Sequence, residues 1–446
     1  MSELTVRAHS LASDGSGVAR VDNLVVFVRG LLPGETARVR VTERRKKFWR
    51  AEILRFDSGI QPERLELGNG GTRPIPAAER SVVPCPVFGR CGGCDLLHMS
   101  YEDTLFWKRR WIVDALARIA KTDVAGEDVI EVLGMEDPWR YRNKAVLHWD
   151  GVSLGWYAAQ SHEVVEFEDC LLLSRDMNDQ VRELKASLVA EAAEPAPVTL
   201  REASWGTNRE TGRGTDREIG RETDPETGRG TSPETGREME RGGSPSRELW
   251  VEGEGIPPLS IGFSPEVFMQ VNTVQMGVLL RTVIAMAGLS GHEIVWDLYC
   301  GVGLLGLGLA GKARAVVGVE ENPEAVEDAF ENARRNGVGN IDFVQGRVEQ
   351  VLGTDLGRRP DLVVVDPPRA GLVRGVLESL GRVLPAKIIY VSCDPATLAR
   401  DVGRLVGFDG GGYKVRGVQP IDMFPWTRHV ECVVLMSRVG EEIRGM

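Results

Sequence analysis

Residues 294–306 read Ile294-Val295-Trp296-Asp297-Leu298-Tyr299-Cys300-Gly301-Val302-Gly303-Leu304-Leu305-Gly306. An apolar, β-rich run gives way to glycines spaced Gly-x-Gly-x-x-Gly, where a strand turns into a helix and a ligand can approach the backbone closely. The pattern repeats downstream: Ala315 to Val319, Leu362 to Val365, Ile388 to Ser392 and Val430 to Met436 are apolar runs suited to buried strands. Between the second and third strands, Asn322 followed by Pro323 predicts an N-cap with proline at the first helical position, and Gly337 can end that helix. Such alternation predicts a doubly wound α/β sheet.

The glycine loop alone fits NAD as well as S-adenosylmethionine. Two features favour the latter. Asp297 lies just ahead of the glycines, where its charge suits a cationic methionyl group and not a pyrophosphate. Asp366-Pro367-Pro368-Arg369 ends a third strand, the position methyltransferases use where donor meets acceptor. Glu320 ends the neighbouring strand, where an acidic side chain can accept from both ribose hydroxyls of a nucleoside.

Cys393, in Val391-Ser392-Cys393-Asp394-Pro395, closes a buried strand at the edge where such sheets bind ligands. Carbon 5 of uracil is a poor nucleophile until something adds at carbon 6. A thiolate suits that task, since it attacks well and can leave later. Glu431, in Arg428-His429-Val430-Glu431-Cys432, is the nearest plausible general base in a similar strand setting, with His429 as the alternative. Cys432 reads as a small buried hydrophobe, and Cys300 is open.

With 446 residues, two or three domains are expected. No apolar run is long enough to span a bilayer, and Met1 to Gly30 lacks the pattern of a signal peptide, so a cytoplasmic protein is expected, without an obligate protein partner. A net charge of -11 argues against nucleic-acid binding, but residues 1–60 hold eleven Lys or Arg against seven Asp or Glu. Arg44, Arg45, Lys46, Lys47 and Arg50 bunch around Phe48 and Trp49, a patch able to meet phosphate. Five short strands are predicted there, over Leu4 to Ala8, Gly17 to Val21, Leu24 to Val28, Thr36 to Val41 and Trp49 to Phe56, as a small β-barrel. Through Gly15-Ser16-Gly17-Val18-Ala19-Arg20, Val26-Phe27-Val28 and Leu32-Pro33-Gly34-Glu35, this segment resembles a TRAM domain, an OB-like RNA module. Residues 203–248 turn to Arg, Glu, Gly, Thr, Pro and Ser, with Glu-Thr-Gly-Arg-Gly-Thr at 210–215 and again at 226–231. So little apolar surface cannot offset ordering entropy, and a disordered insert is expected.

Seven cysteines without a secretory pattern suggest metal binding or catalysis. Cys85, Cys91 and Cys94 cluster, and Cys170 follows far downstream. Four thiolates saturate either tetrahedral zinc or a 4Fe-4S cluster, and spacing does not choose. Trp139-Arg140-Tyr141-Arg142-Asn143-Lys144 interleaves aromatic and basic groups, which suits either RNA contact or a solvated strand. Trp107-Lys108-Arg109-Arg110-Trp111 sits in a helix predicted over Tyr101 to Lys121, where packing explains the tryptophans equally well.

Over nearly its whole length the chain resembles the bacterial RNA (uracil-5-)-methyltransferase family. The resemblance rests on Phe268-Met269-Gln270-Val271-Asn272, Asp297 to Gly303, Asp366 to Arg369, Val391 to Pro395 and His429-Val430-Glu431. It implies a Rossmann-like class I S-adenosylmethionine methyltransferase fold, with Gln270, Tyr299, Glu320 and Asp366 contacting the donor, Cys393 as nucleophile and Glu431 as base. It also selects 4Fe-4S over zinc, since Cys85, Cys91, Cys94 and Cys170 match the cluster ligands of the branch that modifies 23S rRNA. The resulting expectation is a TRAM-like barrel over 1–60, a central iron-sulfur domain over 61–254 and a methyltransferase domain over 255–446. The expected substrate is uridine in rRNA. The alternatives are a tRNA uracil-5 methyltransferase, a non-catalytic iron-sulfur RNA-binding protein and a nicotinamide-dependent oxidoreductase.

Overall fold

The computed structural model describes residues 2–57, 81–122, 124, 128–159, 161–201, 247–253, 256–354, 356, 359–408 and 412–440. The insert expected over 203–248 lies outside them, except that Arg247 and Glu248 begin a strand. The chain opens with strands Glu3–Arg7 (β1), Ser10–Leu11 (β2), Ser16–Val21 (β3), Leu24–Arg29 (β4), Thr36–Arg44 (β5) and Phe48–Phe56 (β6), then helix Tyr101–Ala115 (α1). Next come Lys144–Trp149 (β7), Leu154–Tyr157 (β8), Val164–Glu166 (β9), Arg175–Ala190 (α2), Ala196–Arg201 (β10), Arg247–Gly253 (β11) and Ile256–Phe263 (β12). The remainder alternates: Thr273–Ala287 (α3), Ile294–Leu298 (β13), Leu304–Ala310 (α4), Ala315–Glu320 (β14), Pro323–Arg335 (α5), Ile341–Gln345 (β15), Val348–Val351 (α6), Leu362–Val365 (β16), Arg374–Val383 (α7), Lys387–Ser392 (β17), Pro395–Val406 (α8), Tyr413–Ile421 (β18) and Glu431–Arg438 (β19). Two compact units result: Met1–Pro138 with Pro368–Leu372 and Tyr390–Gly440, and Trp139–Pro367 with Val373–Ile389 and Glu441–Met446.

In the first unit, β1 to β6 form a sheet ordered β1-β5-β6-β4-β3-β2, six strands where five were expected. The sixth is the two-residue β2, too short to carry an alternating pattern. Val6, Ala19, Val26, Val28, Ala37 and Val39 fill its core. A second cluster joins Leu11 and Leu32 to Leu96, Met99, Trp107 and Trp111. The Trp111 indole N–H also donates to the Leu11 carbonyl at 2.9 Å. The tryptophans of α1 are therefore packing residues. Ser100 caps α1 by accepting from the Asp103 N–H at 3.1 Å. The helix stops short of the expected Lys121: Leu116–Ala120 forms a π-turn and Lys121 is left-handed.

In the second unit, β7 to β10 form a four-stranded antiparallel sheet, ordered β10-β7-β8-β9, packed on Met177, Val181 and Leu188 of α2. β13 pairs in parallel with β14 and β16, and β14 with β15, so β13 is flanked on both sides. Within this unit the order is β15-β14-β13-β16, and in the first unit β19 pairs antiparallel with the edge strand β18. The central strands match the sequence expectation because strands covered on both faces read as unbroken apolar runs. β15 and β18 did not stand out. β18 holds Gly417 and Pro420, residues tolerated in a strand at a sheet edge.

Asn322 caps α5, its Oδ1 accepting from Glu324 N at 2.9 Å and Ala325 N at 3.3 Å, and Gly337 follows the helix in the left-handed region. Replacing Asn322 by Ala should therefore lower stability by about 1 kcal/mol, measurable as a shifted urea midpoint with unchanged slope.

Candidate active site

Three carboxylates meet at the carboxyl ends of adjacent parallel strands: Asp297 on β13, Glu320 on β14 and Asp366 just beyond β16. Asp297 is fully buried, and its Oδ2 accepts from the Gly306 N–H at 2.8 Å, tying the strand to the first turn of α4. Its Oδ1 has no hydrogen-bond partner among the described residues. Desolvation raises Asp297 to about 7, and the negative charges of Asp366 and Glu320 add to this. Desolvation likewise raises Asp366 to about 7. A buried carboxylate oxygen without a donor, between two further acids, fits a cationic ligand and opposes a pyrophosphate.

The loop above them is built by backbone geometry. Tyr299, at φ 64°, adopts the left-handed region that side chains rarely enter, a strain typical of functional loops. Tyr299 N and Cys300 N both donate to the Val319 carbonyl, at 2.9 and 3.1 Å. Gly303, at φ 85°, has no room for a side chain, because a Cβ there would lie 2.9 Å from the Phe343 ring. A Cβ at Gly301 would meet nothing within 4 Å, so the loop is open at that point. Glu320 accepts from Gly301 N at 3.0 Å and from Asn322 N at 2.9 Å. It was expected to serve a ribose; here one oxygen holds the loop and the other its own following turn, and each keeps a further lone pair. Gln270, just ahead of α3, has a carbonyl that accepts from Asn143 Nδ2 at 3.3 Å. One support escaped the sequence reading: buried Asn332 of α5 donates to Val302 O at 3.1 Å and Gly262 O at 2.9 Å. Its only signal was a polar residue on the buried side of an amphipathic helix.

Within the first unit, half-buried Cys393 lies between the end of β17 and the start of α8. Asp394 caps α8, accepting from Ala396 N at 3.0 Å and Thr397 N at 2.8 Å. Glu431 begins β19, buried and in register with Ile421 of β18. The Arg369 guanidinium lies 3.3 Å from His429 Nδ1. The loop holding Arg369 is bolted down by buried Asp401, which accepts from Leu372 N at 2.8 Å and from the Tyr390 hydroxyl at 2.9 Å.

The basic patch of the first sheet is also preorganised. The Arg44 guanidinium sits 4.7 Å over the Trp49 ring, and Arg50 lies 5.8 Å from Phe48 and 5.9 Å from Phe27. In that patch Arg45 and Arg50 also pair with Glu43, at 2.6 and 3.6 Å, and the Trp139 to Lys144 run shows the same two kinds of contact. Arg140 makes a two-pronged pair with Asp169, at 2.7 and 2.6 Å, and Arg142 lies 5.1 Å over Trp156.

The thiols expected to hold a metal are not assembled. Among the described residues, no group of three or more His, Cys, Asp or Glu side chains is placed to hold a metal ion. Cys85, Cys91 and Cys94 belong to the first unit, where the Gly93 N–H donates to Cys91 Sγ at 3.3 Å. Cys170 belongs to the second, its thiol pushed up by burial against the opposing effect of the Leu172 and Leu173 N–H groups.

Residues 2–54 match the TRAM domain family, and residues 259–439 match the family described as tRNA (Uracil-5-)-methyltransferase. An uncharacterized RNA methyltransferase of Halalkalibacterium halodurans is 34% identical over 97% of this chain and 96% of its own length. The chain belongs to this family of RNA methyltransferases. A Clostridium tetani relative of the same description is 34% identical over 97% of this chain and 95% of its own. The structure of Pyrococcus abyssi tRNA (uracil-54, C5)-methyltransferase, solved in complex with S-adenosyl-L-homocysteine, covers 98% of this chain and all of its own. At a TM-score of 0.65 and 24% identity, the two share the fold. The methyltransferase has no described helix long and apolar enough to cross a membrane.

The raised carboxyl of Asp297 makes ligand-free stability depend on pH. Folded chain keeps a proton up to about pH 7 that the unfolded chain has released above about pH 4. Stability therefore falls as pH rises across that window. Asp297→Asn should remove its own share of this fall and leave that of Asp366, making the ligand-free methyltransferase more stable than the parent at pH 8 by on the order of 2–4 kcal/mol, with little difference below pH 4. Thermal melts of both proteins at several pH values measure it.

Proposed function

We propose that this methyltransferase uses S-adenosylmethionine to methylate carbon 5 of a uridine in RNA, through a transient bond between Cys393 and carbon 6. The observation that carries the reading is the placement of Cys393, at the carboxyl end of a buried strand and the threshold of α8, in a chain whose buried Glu431 begins β19. Residues 1–60, 61–254 and 255–446 act in it as RNA-binding, central and catalytic parts.

The Cys393 thiolate adds to carbon 6, and the ring's electron pair moves onto carbon 5 and its carbonyl neighbour. When bound, S-adenosylmethionine supplies a methyl group on a positively charged sulfur, which that electron pair displaces. Glu431 then takes the proton from carbon 5, and the pair left behind restores the ring's double bond as the thiolate departs. Asp297 and Asp366 favour the cationic donor over its neutral product, which assists release. Gln270, Tyr299 and Glu320 hold the donor's polar groups. The target base must leave its stack to expose both faces, and the Arg44 to Arg50 patch with Phe27, Phe48 and Trp49 grips the flanking strand.

Large-subunit 23S rRNA is the substrate class we assign, from the conjunction of a TRAM-like start with the four cysteines. tRNA is the second reading, favoured by the description of the family matched at residues 259–439. Cys393→Ala should lose at least roughly 10³-fold in turnover. Glu431→Gln should instead trap a covalent protein–RNA species on denaturing gels, from rRNA and not from tRNA. Normal turnover by Cys393→Ala would end this mechanism, and trapping from tRNA alone would reassign the substrate.

The 4Fe-4S cluster belongs to the same proposal. Four thiols are chemically suited to it, although the described side chains are not gathered around a common centre. We give it no step in methyl transfer. Protein purified without oxygen should contain about four iron and four sulfide per chain, lost in Cys91→Ser. Iron-free protein with full activity would remove the cluster from the account.

A further inference from the structure

The segment between β18 and β19, residues 422–430, delivers Glu431, and side chains and backbone from outside grip it at nearly every second position. Asp422, fully buried, accepts from the Tyr101 hydroxyl at 2.7 Å and pairs with Lys108, an equally buried lysine of α1. Lys108 Nζ also donates to the Phe424 carbonyl at 3.0 Å. Backbone bonds join the same segment to its surroundings: Asp422 N donates to Leu133 O at 2.9 Å. Trp426 is left-handed at φ 65°, and its indole N–H donates to Pro138 O at 3.0 Å. Its carbonyl accepts from both Asp95 N, at 3.1 Å, and Leu96 N, at 3.0 Å. The Asp95 carboxylate then accepts from Arg428 N at 3.2 Å. His429 N donates to Thr427 Oγ1 at 3.3 Å, which completes the chain of supports up to β19.

A buried ammonium is costly to desolvate, and a well-packed apolar pair of the same volume commonly stabilises a fold at least as well. Retention of Lys108 and Asp422 at full burial therefore points to a geometric duty. Two residues separate Arg428 from Glu431, and a segment that short transmits a displacement at one end to the other. Proton removal from carbon 5 needs the carboxylate within hydrogen-bond reach of one hydrogen, a demand that addition at carbon 6 by Cys393 does not make of Glu431.

We propose that Lys108, through Asp422, and Asp95, through Trp426 and Arg428, are positioning residues for Glu431. They set the rate of proton removal and enzyme release without governing formation of the covalent RNA adduct. The proposal rests on the reading of Glu431 as base, and it deepens that reading.

The test is a single-turnover experiment with uridine-containing RNA and S-adenosylmethionine, following adduct formation and adduct decay separately. It uses the double variant Lys108→Met/Asp422→Leu, which removes both buried charges, and Asp95→Asn, a milder change on the same segment. Circular dichroism and donor binding establish that each is folded. Adduct formation is expected within 3-fold of the parent, with decay slowed 10- to 100-fold and trapped species accumulating as in Glu431→Gln. Decay within 2-fold of the parent in both variants would overturn the proposal while leaving Glu431 as base. Loss of formation and decay by one common factor would also overturn it, marking a merely structural role. If Glu431→Gln itself traps no adduct, the base assignment falls and the proposal falls with it.

Discussion

Placing a carboxylate beneath a glycine loop, with water excluded, sets the terms for the catalytic sheet. Asp297 can be buried only because Gly306 meets it with an N–H and because strands β14 and β16 close around it. That contact fixes where α4 starts, and hence where the loop from Tyr299 to Gly303 must turn. Glu320 secures the same loop from the neighbouring strand, and Asn332 holds it from α5. The arrangement concentrates negative charge at one edge of the sheet, a state that is poorly tolerated until a cation arrives. The residues proposed to receive the donor are thus the ones that build the loop.

The parts legible in the sequence are those whose chemistry is local or whose burial is uniform. β13, β14, β16 and β17 announce themselves as unbroken apolar runs, and Asn322-Pro323 marks a helix start by its own hydrogen bonding. Asp297, Glu320, Asp366 and Cys393 were visible because each ends or follows such a run. Edge strands were not legible: in β15 the charged Asp342 interrupts the apolar run, and β18 carries a glycine and a proline that an inner strand would reject.

Tertiary commitments were also hidden. Lys108 sits in a stretch of three consecutive basic residues, which on a helix ordinarily means a solvated face, yet it is sealed against Asp422 more than three hundred positions away. Arg140 and Arg142 alternate with aromatics, a pattern that left RNA contact and a solvated strand face equally open. Their partners, Asp169 and Trp156, lie too far along the chain for any local pattern to reveal. In the Arg44 to Arg50 patch, by contrast, cation and ring neighbour each other in one hairpin, so composition and structure agree.

The protein sorts its sulfur atoms by environment. Burial pushes the thiols of Cys300 and Cys432 well up, with nearby carboxylates adding to it, and Cys170 is raised as well. Because only the ionised form reacts with electrophiles, these three are muted at neutral pH. Cys393 differs from Cys300 and Cys432 in being half-buried, at the entrance of α8. In the carboxyl-terminal half of this chain the more exposed thiol is thus the one at position 393, so a bulky alkylating reagent meets it before the two sealed ones.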